Sequence, residues 1–533
     1  MHPDYITVGA GGQSRMTATS ANVSVTLRFM PFDQAWERRI ADRHELLTPA
    51  EMAVADRTAA RLGAFDLMEN AGRAVARAIR ARFRPCRTLV LCGPGNNGGD
   101  GYVVARLLQQ SGWPVVLAEM AGPRAGSDAA VKASCWRGPK VAFTPAEAAR
   151  AELVVDAVFG AGLARDVDGA VAAVLAACPV RVAVDVPSGL DGATGQVRGF
   201  ASRAVMTVTF FRLKPGHLLM PGRELCGEIV LADIAMPEIV LQQIRPRASV
   251  NGPWLWRLPR LAPDGHKYNR GHVTILGGTE MIGAARLAAE AARRAGAGLI
   301  TIAPAGENPA RAADIYRAGA AGVIVDESPI AAQLGDARRR VWVCGPGLGQ
   351  AASRAALGHL LVAGRDVVAD ADALTAHAGD PEALRGCAVL TPHEAEFARV
   401  FGPIGADRLA AVRQAAIVTG AVVLLKGAAT VIATPEGFVA INASAPPWLA
   451  TAGAGDALAG IIAGLLAQGM TPFGAASAGA WLHGRAATLA GAGMLAEDIA
   501  PHIHAAMNQA GIGRRQPSDF SARWIGDTGA ADE

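Results

Sequence analysis

Lysine is scarce: of 51 basic residues in a chain of 533, five are lysines, at positions 132, 140, 214, 267 and 426. With 47 acidic residues the formal net charge is only +4, and no run of like charge is long enough to read as a nucleic-acid-binding arm. Cysteine is sparse too. Cys86, Cys92, Cys135, Cys178, Cys226, Cys344 and Cys387 contain no CxxC pair, which argues against a disulfide framework and a structural zinc site. Long apolar runs are missing: the longest stretch without a formal charge, Ala457 to Gly484, is broken by Gln468-Gly469 and Thr471-Pro472. Each piece falls short of the roughly 20 residues a membrane span needs. No positive patch followed by an apolar run opens the chain, so the sequence reads as a soluble, cytoplasmic protein without a secretory signal. What is abundant is apolar material, at 51% against 18% charged, which excludes disorder as the main state, and glycine, at 62 residues.

Residues 1–42 lack periodicity and are expected to be a poorly ordered leader, or an artefact of starting at Met1 rather than Met16 or Met30. Thr48 followed by Glu51 is a capping box that opens a helix. Short apolar runs then alternate with helical stretches. Arg87–Cys92, Pro114–Ala118, Leu153–Val155 and Arg181–Val186 read as buried parallel strands, with helices near Gly101–Gln110, Ser127–Trp136 and Gly169–Ala177 between them. That alternation predicts a doubly wound α/β sheet over 43–240. Residues 237–270 are punctuated by proline and glycine and read as a linker plus entry loop, despite Trp254, Trp256 and Tyr268. A second strand–helix series runs through His272–Leu276, Leu299–Ala303, Val341–Cys344, Asp366–Ala369 and Ala421–Leu425 to a helix at Gly455–Ala467. The second domain is therefore placed at 241–500, with a tail at 501–533.

The segment CGPGNNGGDGYVVARLL, 92–108, is a strand end, a glycine-rich loop and a helix expected to begin near Asp100. Such loops present backbone N–H groups at a helix N-terminus, where phosphate binds. It is neither a dinucleotide GxGxxG fingerprint nor a P-loop. Two further strands end in carboxylates, Asp156 and Asp185. In an open parallel sheet the strand carboxyl ends form the ligand crevice, so Asp156, Asp185, Ser188 and the Asn97 loop could converge there. Their oxygens suit a hard cation; the alternative is that these aspartates only cap the turns that follow. In the second half, VCGPGLG, ADADAL, LTPHEAEF, LLKGAAT and TAGAGDALAGIIAGLLAQG follow one another. The Gly-Ala-Gly-Asp turn aims a helix N-terminus at a phosphoryl group, with Asp456 beside it as a candidate general base. With lysine so scarce, Lys426 directly after an apolar strand stands out. His393 alone is as well read as a packing or capping residue as a ligand.

GPGNNGGDG, DAVFGAGL and VAVDVPSGLDG resemble the epimerase domain of the bifunctional NAD(P)H-hydrate repair enzymes, over roughly residues 46–240, which implies a Rossmann-like first domain. The second motif set resembles the ADP-dependent NAD(P)H-hydrate dehydratases, with a ribokinase-like fold, over roughly 250–490. Two small departures, Ala395 for a glycine and GAGD for the frequent GSGD, remove no titratable group. The resemblance implies that hydrated nucleotide is held in the first domain by Asn96, Asn97, Gly98, Gly99, Asp100, Gly160, Ala161, Gly162, Leu163, Ala164, Arg165, Asp166 and Asp185. It implies potassium on Asn97, Asp156 and Ser188. In the second domain it implies substrate contacts from Ala284, Gly347, His393 and Asp456. Lys426, Gly427, Ala428, Ala429, Thr430 and Gly455 would bind ADP, with Mg²⁺ offsetting phosphate charge. Asp185 and Asp456 are the candidate catalytic residues. The expected partners are NAD(P)HX and an adenine nucleotide, with no nucleic acid and no membrane, in a homo-oligomer. The competing expectation is a thiazole or pyrimidine kinase as second domain behind a nucleotide-binding first domain.

Overall fold

The computed structural model describes residues 40–511 apart from 64, 261 and 262, together with Glu37 and four two-residue strands between Arg15 and Arg28. Most of the expected leader and the last part of the expected tail, 512–533, lie outside the described residues. The chain divides into two compact units, residues 42–248 and residues 249–511 with Glu37, Ile40 and Ala41.

The first unit opens as the capping box predicts. The Thr48 amide donates to Glu51 Oε2 at 2.7 Å and the Glu51 amide to Thr48 Oγ1 at 3.3 Å, starting the helix Pro49–Leu62. Its sheet has seven parallel strands. From one edge to the other they are Glu228–Ala232, Met206–Phe210, Arg181–Val184, Leu153–Ala157, Thr88–Cys92, Val115–Glu119 and Lys140–Val141. Strand order reverses between Thr88–Cys92 and Leu153–Ala157, so the crevice of a doubly wound sheet opens at their carboxyl ends. Apolar clusters cover both faces, Val90, Tyr102 and Val155 on one and Leu89, Val154 and Val174 on the other. That two-sided burial is why these strands read as continuous apolar runs.

The second unit's sheet has ten strands. Its centre is parallel, His272–Gly277 lying between Leu299–Pro304 and Val341–Cys344, and the pairing continues through Asp366–Ala369 and Val389–Leu390 to Val422–Leu425. Beyond that, Thr430–Ala433 and Val439–Asn442 run antiparallel, two strands the apolar pattern did not separate. The helix Ala454–Ala467 is buried along almost its whole length against Ile282–Arg294.

Three boundaries differ from expectation. Residues 241–248 stay with the first unit because Val240 and Leu241, on the helix Val240–Ile244, are buried in its core. The 237–270 stretch is not all linker: Ala248–Val250 joins the second sheet, and Trp256, 6% exposed, donates its indole N–H to Asn251 Oδ1 at 3.2 Å. The expected tail from 501 begins instead inside a helix, Ile499–Gly511, whose Ile503, Ala506 and Ala510 belong to the second core.

A methyl group on Gly460 would lie 2.1 Å from the Ala288 carbonyl oxygen of the facing helix. Gly460→Ala therefore forces the two helices apart. The expected cost is about 1–3 kcal/mol, as for other overpacked cores, read as a lower thermal midpoint of the second unit; an unchanged midpoint contradicts this packing account.

Candidate active sites

In the first unit the glycine-rich segment is shorter as a loop than expected. The helix begins at Asn96 with Gly95 as its N-cap, so Asn96–Asp100 form its first turn rather than the approach to it. The turn lies that close because Gly98 has no Cβ: one would stand 1.9 Å from the Gly93 carbonyl. Asn97 and Asp100, three residues apart, share a face of this turn and are buried.

Asp185 ends its strand in the left-handed region, at φ 67°, which aspartate tolerates better than most side chains. Its Oδ1 accepts from Lys214 Nζ at 2.6 Å and from Thr209 Oγ1 at 3.0 Å, and its Oδ2 from the Ala161 amide at 3.0 Å. Burial opposes ionisation, but the Lys214 ammonium and these donors win and hold the carboxyl down at about 2. His217 locks the backbone. The Lys214 amide donates to its Nδ1 at 2.9 Å, so the other ring nitrogen carries the proton donated to the Asp185 carbonyl at 2.8 Å. Burial, reinforced by Lys214, keeps this imidazole neutral, its pKa lowered to about 4. Asp100 moves the opposite way: burial and the Asp185 charge push it well above the usual carboxylate range.

Of the expected cation ligands, Asp156 and Ser188 meet directly. Ser188 Oγ donates to Asp156 Oδ1 at 2.6 Å and the Ser188 amide to Oδ2 at 3.0 Å. Asn97 is aimed elsewhere: a Cβ on Gly160 would stand 3.3 Å from Asn97 Oδ1 and 3.2 Å from Asp185 Oδ2, while the buried Asn97 Nδ2 has no hydrogen-bond partner among the described residues. Gly160 and Ala161 thus face Asp185. Further along that loop, the Arg165 guanidinium lies 5.8 Å from the Phe159 ring centroid and Asp166 packs on Gly199.

In the second unit, Asp456 lies in the first turn of Ala454–Ala467, behind Gly453 at φ 86°. Burial, then the Asp370 charge, raise it to about 6 despite Lys426. Lys426 pairs with Asp370 Oδ1 at 2.6 Å and stands 3.8 Å from Glu396 Oε2, and it lies beside Gly455. Gly427 to Ala429 form the turn between the strands Val422–Leu425 and Thr430–Ala433, where Thr430 Oγ1 donates to the Gly427 carbonyl at 3.0 Å. Ala284 and Gly347 are neighbours: a Cβ on Gly347, φ 61°, would lie 3.1 Å from that of Ala284. His393 is a cap. Its Nδ1 accepts from the Ala395 and Glu396 amides at 3.1 and 3.2 Å, and Glu396 Oε2 accepts from the His393 amide at 2.8 Å.

Sequence reasoning passed over Lys214, Thr209, His217, Asp370 and Glu396. Lysine scarcity, the signal that singled out Lys426, points equally to Lys214. The strand-end rule that found Asp156 and Asp185 also covers Asp370, the residue after Asp366–Ala369. Among the described residues no cluster of three or more His, Cys, Asp or Glu side chains is built to hold a metal.

The cap is testable. His393→Ala is expected to cost about 0.5–2 kcal/mol of stability, read as a lower urea midpoint, with His393→Asn, which keeps an acceptor, restoring most of it. A variant of unchanged stability that no longer uses substrate would make His393 a ligand contact instead.

Comparison with known proteins bears on both units. Residues 64–216 match the family described as YjeF-related protein N-terminus, and residues 273–508 that described as NAD(P)H-hydrate dehydratase. The bifunctional NAD(P)H-hydrate repair enzyme of Moorella thermoacetica is 40% identical over 486 residues, covering 83% of this chain and 91% of that protein. The Escherichia coli enzyme of the same name is 35% identical over 462 residues, 82% and 88% of the two chains. The Bacillus subtilis ADP/ATP-dependent NAD(P)H-hydrate dehydratase structure is 27% identical, with TM-score 0.41, covering 48% of this chain and 94% of its own. With both family matches in one chain and relatives aligned across both units, the chain belongs to the bifunctional NAD(P)H-hydrate repair enzymes.

Proposed function

We propose that the two sites divide the repair of hydrated NADH and NADPH between them, the first unit interconverting the R and S epimers at C6 and the second dehydrating the S form with ADP. The observation that carries this division is a contrast: one strand-end carboxylate held ionised by a lysine, and one helix-end carboxyl left to titrate near neutrality. Family membership favours this over the kinase alternative.

In the first unit, Asp185 is ionised throughout the physiological range. It takes the proton from the C6 hydroxyl as the C6–N1 bond opens, returns it to N1, and the aldehyde recloses on either face. The donor set at Asp156, Ser188 and the Phe159 carbonyl is all oxygen and fits a hard monovalent cation; Asn97, whose Oδ1 faces Gly160 here, would join it only by turning its amide. Potassium there would supply a fixed positive charge beside the loop that binds substrate.

In the second unit the C6 hydroxyl attacks the β-phosphorus of ADP while Asp456 removes its proton and AMP leaves. The C6–O bond then breaks, phosphate departs with N1 assisting, and loss of a C5 proton restores the nicotinamide. Mg²⁺ would be held chiefly by the ADP phosphates, whose charge it would offset, since Asp370 and Glu396 face Lys426. All seven cysteines are free, which supports a reducing, cytoplasmic setting. No helix among the described residues is long and apolar enough to cross a membrane.

Asp456→Asn keeps the turn but cannot take a proton. It is expected to cut NADH recovery about 10²–10⁴-fold while epimers still equilibrate, as chromatography of hydrated NADH would show. In the native enzyme, dehydration should fall as pH drops through about 6, where Asp456 becomes protonated, and level off above it. Near-normal recovery by the variant, or a flat profile between pH 5 and 7, refutes the base assignment.

Replacing potassium by tetramethylammonium is expected to slow epimerisation and leave dehydration unchanged. Equal epimerisation rates after verified ion depletion would remove potassium from this site.

A further inference from the structure

The hydrogen bonds around Asp185 are unequal on its two oxygens. Oδ1 accepts from the buried Lys214 ammonium at 2.6 Å and from Thr209 Oγ1 at 3.0 Å. Lys214 Nζ also donates to Thr209 Oγ1 at 2.9 Å, so lysine, threonine and carboxylate close a triangle on that side. Among the described residues Oδ2 accepts from the Ala161 amide alone, at 3.0 Å. Its remaining side faces Gly160, where a Cβ would crowd it at 3.2 Å. The Asn97 amide oxygen borders the same position, 3.3 Å from that Cβ. Lys214 itself is 2% exposed and so has no approach to substrate except through the carboxylate it holds.

We infer that Lys214 and Thr209 are the positioning residues of the first site, clamping Oδ1 of Asp185 so that Oδ2, on the side of Gly160, is the oxygen that exchanges the substrate proton. The inference rests on the proposed role of Asp185 and adds which oxygen reacts and what aims it. A carboxylate pinned at one oxygen by a charge-assisted bond and a hydroxyl cannot rotate the other away, so the acceptor meets the substrate without reorganising. The side chain of Lys214 crosses from residue 214 to a strand end 29 positions earlier in the chain. A buried lysine left there without a carboxylate would be costly, so the pair also explains why one of the few lysines of this chain is spent inside.

The test compares variants in the full-length protein, following epimer interconversion by chromatography and fold by circular dichroism, with dehydratase activity as an internal control. Lys214→Ala is expected to lose about 10²-fold in kcat with little change in KM, as for a group displaced from its reacting geometry. Ethylammonium, which has N–H donors, should restore part of that rate, and tetramethylammonium, which has none, should not. Thr209→Val should lose less, and Gly160→Ala should block epimerisation with the Lys214–Asp185 pair intact. Asp185→Asn separates the two levels of the argument: if it epimerises normally, the base assignment itself falls. If it is inactive while Lys214→Ala, folded, stays near the native rate, only the clamp falls. Should Lys214→Ala fail to fold, full activity in both Thr209→Val and Gly160→Ala overturns the inference, and loss in both sustains it.

Discussion

The first turns of two helices, Asn96–Gln110 and Ala454–Ala467, stand where they do because backbone meets backbone at glycines. In the first unit a Cβ on Gly93 would be 1.9 Å from the Val158 carbonyl, and one on Gly98 equally close to the Gly93 carbonyl. In the second, Gly460 and Gly464 leave room for the Ala288 and Ala292 carbonyls, at 2.1 and 2.7 Å from where their Cβ atoms would be. Any larger residue would push a helix away from its support and carry its N-terminus off the strand ends. Asn97, Asp100 and Asp456, on those first turns, take their positions from this contact, so these particular glycines are a geometric requirement of the sites.

On that frame each unit spends one lysine on one strand-end aspartate, at 2.6 Å in both cases, with different consequences. Lys214 binds the catalytic candidate itself, so Asp185 stays ionised although buried. Lys426 binds Asp370, a neighbour, and the charge of Asp370 then helps burial to raise Asp456. Where the ammonium is placed therefore decides whether the reacting carboxyl is a permanent anion or a base poised near neutral pH. The two arrangements suit their reactions. Ring opening and closure need a carboxylate that releases its proton as readily as it takes it. Phosphoryl transfer to a hydroxyl gains from a stronger base, and a carboxyl of raised pKa is one.

Much of this was legible in the sequence, and the exceptions have physical reasons. The central strands were readable because burial on both faces makes them apolar throughout. The start of Asn96–Gln110 was not, since Asn-Asn-Gly-Gly is poor helix-forming sequence and only the packing of Gly98 on Gly93 overrides it. The strands Thr430–Ala433 and Val439–Asn442 were hidden because Lys426–Thr430 drew notice only as nucleotide-binding residues after an apolar strand, whereas Lys426–Ala429 form the turn of an antiparallel pair. The strand-end rule exposed Asp156 and Asp185. Lys214, Thr209 and His217 escaped it because they converge on Asp185 from residues 209–217, a contact set by the parallel neighbour strand Met206–Phe210 rather than by local spacing. His393 was open to two readings, and its geometry is that of a cap, with the neighbouring Glu396 turned toward Lys426.

Fusing the two activities requires no passage of substrate between the units. The R and S forms differ only at C6 and share every bond, so their interconversion is close to balanced and cannot by itself drive repair. The dehydratase step consumes a phosphoanhydride and releases phosphate, which makes it effectively one-way. Mass action then suffices: removal of the S form draws the R form across, provided the first site exchanges epimers faster than the second consumes them. What matters in the first unit is therefore speed in both directions, and on the role proposed for Asp185 a carboxylate fixed in place by Lys214, already ionised and already aimed, would supply that because neither direction would have to wait for the base to be deprotonated or reoriented.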